Sequence, residues 1–417
     1  MEGFDPNSHE WRSAKLGRAA GLTVRKPKPF RGNRFYLATA DVDAGAASPN
    51  EEFTFENRPA RAGLQLAEDD VLQAKMIATN KALLVSAQQA GWLASTGFAL
   101  FSPRQADSIP AYFYHWLQSN EFHRQKDRLC VGSTQKAISQ TDLAAIALRV
   151  PERPEQARIS AILDAVNKQI EVKKAVITKL QRVRAGLLQD FLTRGLDADG
   201  HLRDPIAHPE QFQDSALGRI PCAWTVQTLE QITDPQSPIC YGIVQVFDFV
   251  PTGVLVLAIR DILGDYATGL HRTAASIDAL YARSRVRPGD VLISIKGTIG
   301  RIGLVPPHYV GNISRDLARL RPVGRISSSF LVHLLRSPLG QRTLEIARVG
   351  TTRGELSIAP LKRIAFAFPQ KEEQDEIAEI LEEQDVVIAT HNAELAKLVQ
   401  LRSGLMADLL TGRVRAP

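Results

Sequence analysis

The feature that most constrains this chain is that it is written twice. The stretch PERPEQARISAILD, from Pro151, and FPQKEEQDEIAEILEE, from Phe368, align without a gap when Gln156 is set on Gln374, an offset of 218. The same offset pairs Pro151 with Pro369, Ile159 with Ile377, Leu163 with Leu381 and Ile170 with Ile388. It also pairs Arg184 with Arg402, Gly186 with Gly404, Asp190 with Asp408 and Thr193 with Thr411. Upstream, Tyr112–His115 matches Phe330–His333, and Val131-Gly132-Ser133-Thr134 matches Val349-Gly350-Thr351-Thr352, still at 218. Asp70-Val71-Leu72 matches Asp290-Val291-Leu292 at 220, and Trp11 followed by Leu16 matches Trp224 followed by Leu229 at 213. Short loop insertions account for the drift. A duplication this long predicts a quasi-symmetric molecule: globular half, repeated segment, globular half, repeated segment.

The repeated segments carry a helical period. Ile159, Ile162, Val166, Ile170, Ile177, Leu180, Val183 and Leu187 recur at steps of three and four, as do Ile377, Leu381, Ile388, Leu395, Leu398, Leu405 and Leu409. Prolines precede each run, and Gly195 and Gly412 follow as stops. Each segment therefore reads as a helix of about 40 residues, ~60 Å long. Gly186 and Gly404, near the helix ends, mark a close approach or a bend.

The net charge of +6 hides an asymmetry that bears on how these helices pair. Glu155–Arg194 holds 8 Lys/Arg against 4 Asp/Glu, whereas Glu372–Arg413 holds 3 against 10. The bases Lys179, Arg182 and Arg184 lie late in the first helix; the acids Glu376, Glu379 and Glu383 lie early in the second. Bringing them together requires an antiparallel pair, with the acids nearer Lys179, Arg182 and Arg184 than Arg158. Each exposed pair contributes only ~0–1 kcal/mol, but together they select orientation. The alternative is that these are solvated faces with no mutual role.

In the globular halves, Val286–Pro306 reads as strand, glycine turn, strand; Leu255–Ile259 as a strand; Ser327–Arg336 as a helix. Their counterparts are Asp70–Met76, Phe35–Thr39 and Pro110–Leu117. The expected class is α+β, with two similar mixed domains joined by an antiparallel coiled coil. The expected boundaries are 1–150 for the first domain, 151–196 for the first helix, 197–220 for a connector, 221–368 for the second domain and 369–417 for the second helix and tail.

Catalytic signatures fail in turn. Lys296-Gly297-Thr298-Ile299-Gly300 lacks P-loop spacing and reads as a hairpin turn. Pro306-Pro307-His308 has no acidic or amide residue before its prolines, so no methyltransferase segment is formed. The histidines lack ligand spacing, and the equivalent His115 and His333 read as structural. Cys130, Cys222 and Cys240 show no paired spacing, which favours a reducing compartment. With no apolar run long enough to span a bilayer and no signal-peptide core, the expected location is cytoplasmic.

Basic residues remain as the notable content. Lys75, Lys81, Arg104, Lys126, Arg128 and Lys136 lie in the first half; Lys296, Arg301, Arg315, Arg319, Arg321 and Arg353 lie in the second. A basic domain without a catalytic constellation suits a polyanion, and the candidate DNA contacts are Lys75, Lys81, Arg104, Lys136, Lys296, Arg301, Arg315, Arg319 and Arg353. Ordinary solvated surface charge is the competing reading for any one of them.

Glu155-Gln156-Ala157-Arg158-Ile159 and Glu373-Gln374-Asp375-Glu376-Ile377 resemble the openings of the repeated helices in the DNA-specificity subunits of type I restriction–modification systems. Gly186–Gly195, Ser215–Pro221 with Trp224, and Gly404–Gly412 are similar to that family's helix ends and to the lead into its second half. The resemblance implies two target recognition domains, each reading half of a split sequence in double-stranded DNA, with the helices as a ruler. It implies docking of two methyltransferase subunits, which carry S-adenosylmethionine, and of motor-nuclease subunits using ATP and Mg, with no cofactor and no catalysis in this chain. A non-catalytic scaffold with incidental basic charge is the competing class.

Overall fold

The computed structural model describes residues 11–43, 45–106, 108–132, 136–348 and 355–416. The two predicted helices are present as Arg153–Thr193 and Lys371–Leu409. Each starts just after a proline-led strand end and carries acids in its first turn, Glu155 in one and Glu372 and Glu373 in the other, where the helix dipole favours them. Both stop at a glycine in the left-handed region, Gly195 at φ 63° and Gly412 at φ 74°.

Chain contacts group the molecule into two compact units. One comprises Met1–Ala175 with Asn392–Pro417, the other Val176–His391. These units cut through both helices rather than falling at the expected boundaries near 151 and 369. The reason is burial: each helix end is embedded in a globular core. In the first unit, Ile159 and Leu163 share a core with Met406, Leu409 and Leu410. In the second, Leu188, Phe191 and Leu192 share one with Ile377, Ala378 and Leu381. Fully burying such a side chain contributes about 1.5–3 kcal/mol, far more than a surface ion pair. Start meets end in both units, so the helices run antiparallel within each, as the charges predicted.

In the first unit, Arg12–Lys15 pairs antiparallel with Ala147–Val150, which leads into the first helix. A four-stranded antiparallel sheet follows in the order Leu22–Thr23, Phe98–Phe101, Val71–Ala74, Ala82–Leu84. A second sheet orders Glu52–Phe53, Arg34–Leu37, Leu93–Ala94, Leu64–Gln65, with one parallel pair, Leu93 to Tyr36. Helices Pro110–Leu117 and Asn120–Arg128 cover the first sheet.

The second unit repeats this plan. Thr225–Thr228 pairs with Ala365–Phe368 ahead of the second helix. Its four-stranded sheet orders Cys240–Tyr241, Leu317–Leu320, Val291–Ser294, Ile302–Leu304, and Val291 pairs with Leu304 as Val71 pairs with Leu84. Three strands, His271–Thr273, Val254–Leu257 and Asn312–Ile313, complete it, again with a single parallel pair. Ser328–Arg336 and Pro338–Ile346 are its helices.

The expectation that Gly186 and Gly404 mark a close approach is not met. Both lie inside continuous helix, and an added Cβ would find nothing within 4 Å at either. They are tolerated rather than required. Gly195 differs: its Cβ would overlap Glu373 and Trp224, so that position needs glycine for space as well as for φ.

Candidate nucleic-acid interface and the duplicated latches

Each unit is fastened to its helices by the same two devices. In the first, Trp11 donates its indole N–H to Glu155 at 3.1 Å, and Arg415 brackets the same carboxylate at 2.6 and 2.7 Å. In the second, Trp224 donates to Glu373 at 3.1 Å, and Arg203 brackets it at 2.7 and 3.0 Å. Glu155 and Glu373 are repeat equivalents; the arginines come from the tail in one case and the connector in the other. The second device is a glutamine. Gln156 accepts from the backbone N–H of Ile109 at 2.7 Å and donates to the carbonyl of Pro151 at 2.9 Å. Gln374 does the same with Ser327 at 2.8 Å and Pro369 at 2.9 Å.

The helix-pair residues named from sequence separate on inspection. Arg184 pairs with Asp385, its NH2 group at 2.7 Å, and Lys173 pairs with Glu394 at 2.7 Å. Lys179, Arg182, Glu376, Glu379 and Glu383 are exposed. Charge complementarity is thus expressed through Asp385 and Glu394, whereas the three named glutamates are exposed. His333 lies against Arg184 at 3.4 Å, and burial followed by that guanidinium lowers its pKa. His115 is fully buried and meets Asp164 at 2.7 Å. Both histidines are interior groups, as the sequence suggested.

Four of the basic candidates, Lys75, Lys136, Lys296 and Arg301, lie in or beside the segment that follows Val71–Ala74 in one unit and Val291–Ser294 in the other. In the first unit, Lys75 sits half-buried at the end of Val71–Ala74, and burial lowers its pKa. The carbonyl of Lys75 accepts from Ile138, and Lys136, exposed, stands just before that segment. In the second unit the carbonyl of Ile295 accepts from Leu356, two repeat-equivalent positions, and Lys296 beside it pairs with Glu355 at 3.1 Å. Lys296–Gly300 forms the predicted hairpin turn, closed by Ser294 accepting from the Arg301 N–H at 2.8 Å, with the Arg301 side chain exposed.

Other candidates are committed elsewhere. Lys81 donates to the carbonyls of Thr39 and Ala40 at 2.9 and 3.3 Å. Arg104 is exposed and pairs with Asp69; Arg315 is exposed beside Asp316 at 3.8 Å. Arg319 is only 2% exposed and lies inside the second unit. Lys126 is fully buried, with its ammonium on the carbonyls of Met76 and Thr79 at 2.9 and 2.7 Å, so it pins the hairpin from below. Arg353 and the Val349-Gly350-Thr351-Thr352 match lie outside the described residues.

Sequence reasoning missed an arginine–aromatic cluster on the first unit. Arg34 stacks 4.2 Å over the Phe30 ring and Arg58 3.8 Å over Phe55, while the two rings meet edge to face at 5.6 Å. An arginine four residues after Phe30 and another three residues after Phe55 were the available signal. Among the described residues, Asp197, Asp199 and His201 bring possible metal-ligand atoms together. Asp197 already accepts from the backbone N–H groups of Asp199 and His201, at 3.0 and 2.9 Å, so this is a capped turn.

Fold and site together define a duplicated protein in which two mixed-sheet units are each latched onto ends of two antiparallel helices, with basic hairpins at matching positions. The family model described as the type I restriction modification DNA specificity domain matches residues 66–182 and 282–400, and the chain belongs to that family. It is similar to the type I restriction enzyme EcoBI specificity subunit of Escherichia coli, 30% identical over 68% of this chain and 61% of that one. The chain spans less than two thirds of the length of the curated relatives it matches. Its fold resembles a chain from a structure titled for complex assembly and conformational transition of the type I R-M system, at a TM-score of 0.61 and 19% identity, covering 99% of this chain and 100% of that one. It also resembles the type I restriction–modification S subunit of M. genitalium, at a TM-score of 0.55 and 14% identity, covering 98% of each.

Proposed function

We propose that this chain is the sequence-reading subunit of a type I restriction–modification complex and catalyses nothing itself. Each unit reads one half of a bipartite site in double-stranded DNA, and the helices set the distance between the halves. Two methyltransferase subunits carrying S-adenosylmethionine dock on the chain, motor-nuclease subunits using ATP and Mg join them, and the complex works in the cytoplasm. The observation that carries this reading is the repetition of the whole unit, down to the Trp11–Glu155–Arg415 and Trp224–Glu373–Arg203 latches, within a family described by DNA specificity. Two separately diverging readers on one framework suit an asymmetric, split target.

The exposed basic residues Lys136, Arg301, Arg104 and Arg315, with Lys75, Lys296 and Arg353, are the proposed DNA contacts. Exposed aliphatic side chains on the helices, Val172 and Leu401 in the first unit and Val183 and Val386 in the second, suit a docking surface for the methyltransferase subunits. Among the described residues no helix is long and apolar enough to cross a membrane.

The test is to map methylated adenines in host DNA with and without the gene for this chain, and to assay the purified chain with S-adenosylmethionine. A split motif that vanishes with the chain, and no methyl incorporation by the chain alone, are expected. An unchanged methylation pattern with no sequence-selective DNA binding would favour the scaffold reading instead.

A further inference from the structure

The second unit holds a cavity of about 990 Å³ whose largely apolar wall also carries five guanidinium groups and the Lys362 ammonium. Arg283, Arg285, Arg287, Arg319 and Arg321 line it, against one lining carboxylate, Asp278. That carboxylate is already used: its Oδ2 accepts from Arg285 Nε at 2.8 Å and its Oδ1 from Asn312 at 2.8 Å. Arg321 is matched by Asp290, with two hydrogen bonds of 2.7 Å. Arg283, Arg287 and Arg319 also line the cavity, and among the described residues none of them has a carboxylate partner.

Arg319 is the telling member. It is 2% exposed, its terminal nitrogens reach only the carbonyls of Ser237, Pro238 and Arg285, and its Nε has no protein partner. A buried cation with an unsatisfied donor is costly. The fold does not require it. Arg319 pairs with Leu292 in the same register in which Leu100 pairs with Leu72, so the first unit places leucine at the equivalent point. One copy of the plan thus keeps a buried charge where the other manages with a hydrocarbon, at the wall of an arginine-rich cavity.

We propose that this cavity binds a phosphate group, held by Arg283, Arg287 and Arg319, with Arg285 and Arg321 as a positive surround. Guanidinium groups match phosphate oxygens in geometry and charge. The phosphate is presented either by a DNA strand, which rests on the proposed recognition function, or by a free nucleotide, which does not.

The experiment uses the full chain, Arg283→Ala/Arg287→Ala, and Arg319→Leu, which copies the first unit. Arg283 and Arg287 are exposed, so the double variant should unfold at the wild-type temperature. Pyrophosphate and ATP without metal are titrated by calorimetry, and duplex DNA by fluorescence anisotropy at several salt concentrations. If a free nucleotide is the source, both variants bind pyrophosphate or ATP at least tenfold more weakly, while Lys26→Ala/Lys28→Ala, at exposed bases of the first unit, does not. If a DNA strand is the source, free anions fail to bind, and both variants lose affinity for all duplexes alike with a salt slope smaller by about one per lost phosphate contact. Unchanged binding in both arms, or equal weakening of free-anion binding by Lys26→Ala/Lys28→Ala, overturns the proposal. Should the wild type bind no DNA, the recognition function fails separately and the free-anion arm alone decides the cavity.

Discussion

Glu373 and Arg203 face each other through two parallel hydrogen bonds, and only 11% of either side chain is exposed. The same carboxylate accepts from the Trp224 indole and from the Leu196 backbone N–H, so four donors converge on one side chain. It ties the end of the first helix, the connector and the entry strand of the second domain to the start of the second helix.

Removing that carboxylate should therefore be expensive. Glu373→Ala leaves Arg203 unpaired in a largely buried setting, and breaking such a pair costs ~3–5 kcal/mol. A fall in stability of about 3 kcal/mol is expected in urea unfolding, with Glu373→Gln losing less than half as much because it keeps an acceptor. A loss below about 1 kcal/mol for the alanine variant would show that the latch is incidental. Arg415→Ala should destabilise as well, since it takes the guanidinium away from Glu155, whose side chain is only 5% exposed.

Between the helices the informative pair is Arg184 with Asp385. The carboxylate is 45% exposed, so solvent screening holds the coupling to about 0.5–1 kcal/mol. Arg184→Asp should destabilise the second unit, and adding Asp385→Arg should recover most of the loss in a double-mutant cycle. The cycle between Lys179→Glu and Glu379→Lys should give coupling near zero. Strong coupling there, and none at Arg184, would restore the arrangement expected from charge clustering alone.

A pH dependence follows from His123, whose pKa burial, aided by Lys126, lowers from 6.5 to about 4. The unfolded chain takes a proton on this ring below about 6.5, while the folded protein refuses it until about 4. Stability therefore falls as pH drops through that window, by at most about 3 kcal/mol from this group. Carboxylates titrate nearby, so the comparison is between wild type and His123→Gln. The variant should show the shallower loss between pH 6.5 and 4; identical slopes would remove His123 from the account.

Much of this architecture was legible because duplication doubles every signal. A three-and-four period that appears twice, each time after proline and before glycine, leaves little choice but two helices. The repeated Asp-Val-Leu segments marked equivalent strands, and their partners repeat too, Val71 with Leu84 and Val291 with Leu304. Charge was the weak point, since counting cannot tell a surface lysine from one under a hairpin. Lys126 follows the fully buried Phe122 by four residues on one helix, so its face was readable and pointed inward. Arg319 alternates with Leu317 in a strand buried on both sides, which points the same way. Partners recruited from non-equivalent positions were not readable. Asp70 is held by Arg25 and its equivalent Asp290 by Arg321, so the acid repeats while its base does not.

The last prediction concerns what the helices measure. If the two units read separate half-sites and the helices hold them apart, helix length and base preference are independent properties of the chain. An exposed stretch such as Lys174–Val176 accepts insertion without disturbing either latch, because Glu155 and Glu373 sit near the helix starts. Adding two whole turns, about 7 residues, keeps the helix faces in phase to within ~20° and lengthens the first helix by ~10 Å, or about three base pairs of duplex. The second helix needs the same insertion near Asn392 to preserve the antiparallel seam. Adenine methylation mapped in cells carrying the lengthened chain should show the original half-sites with a longer spacer. Altered half-site bases at constant spacing would assign the measurement to the globular units and end the ruler interpretation.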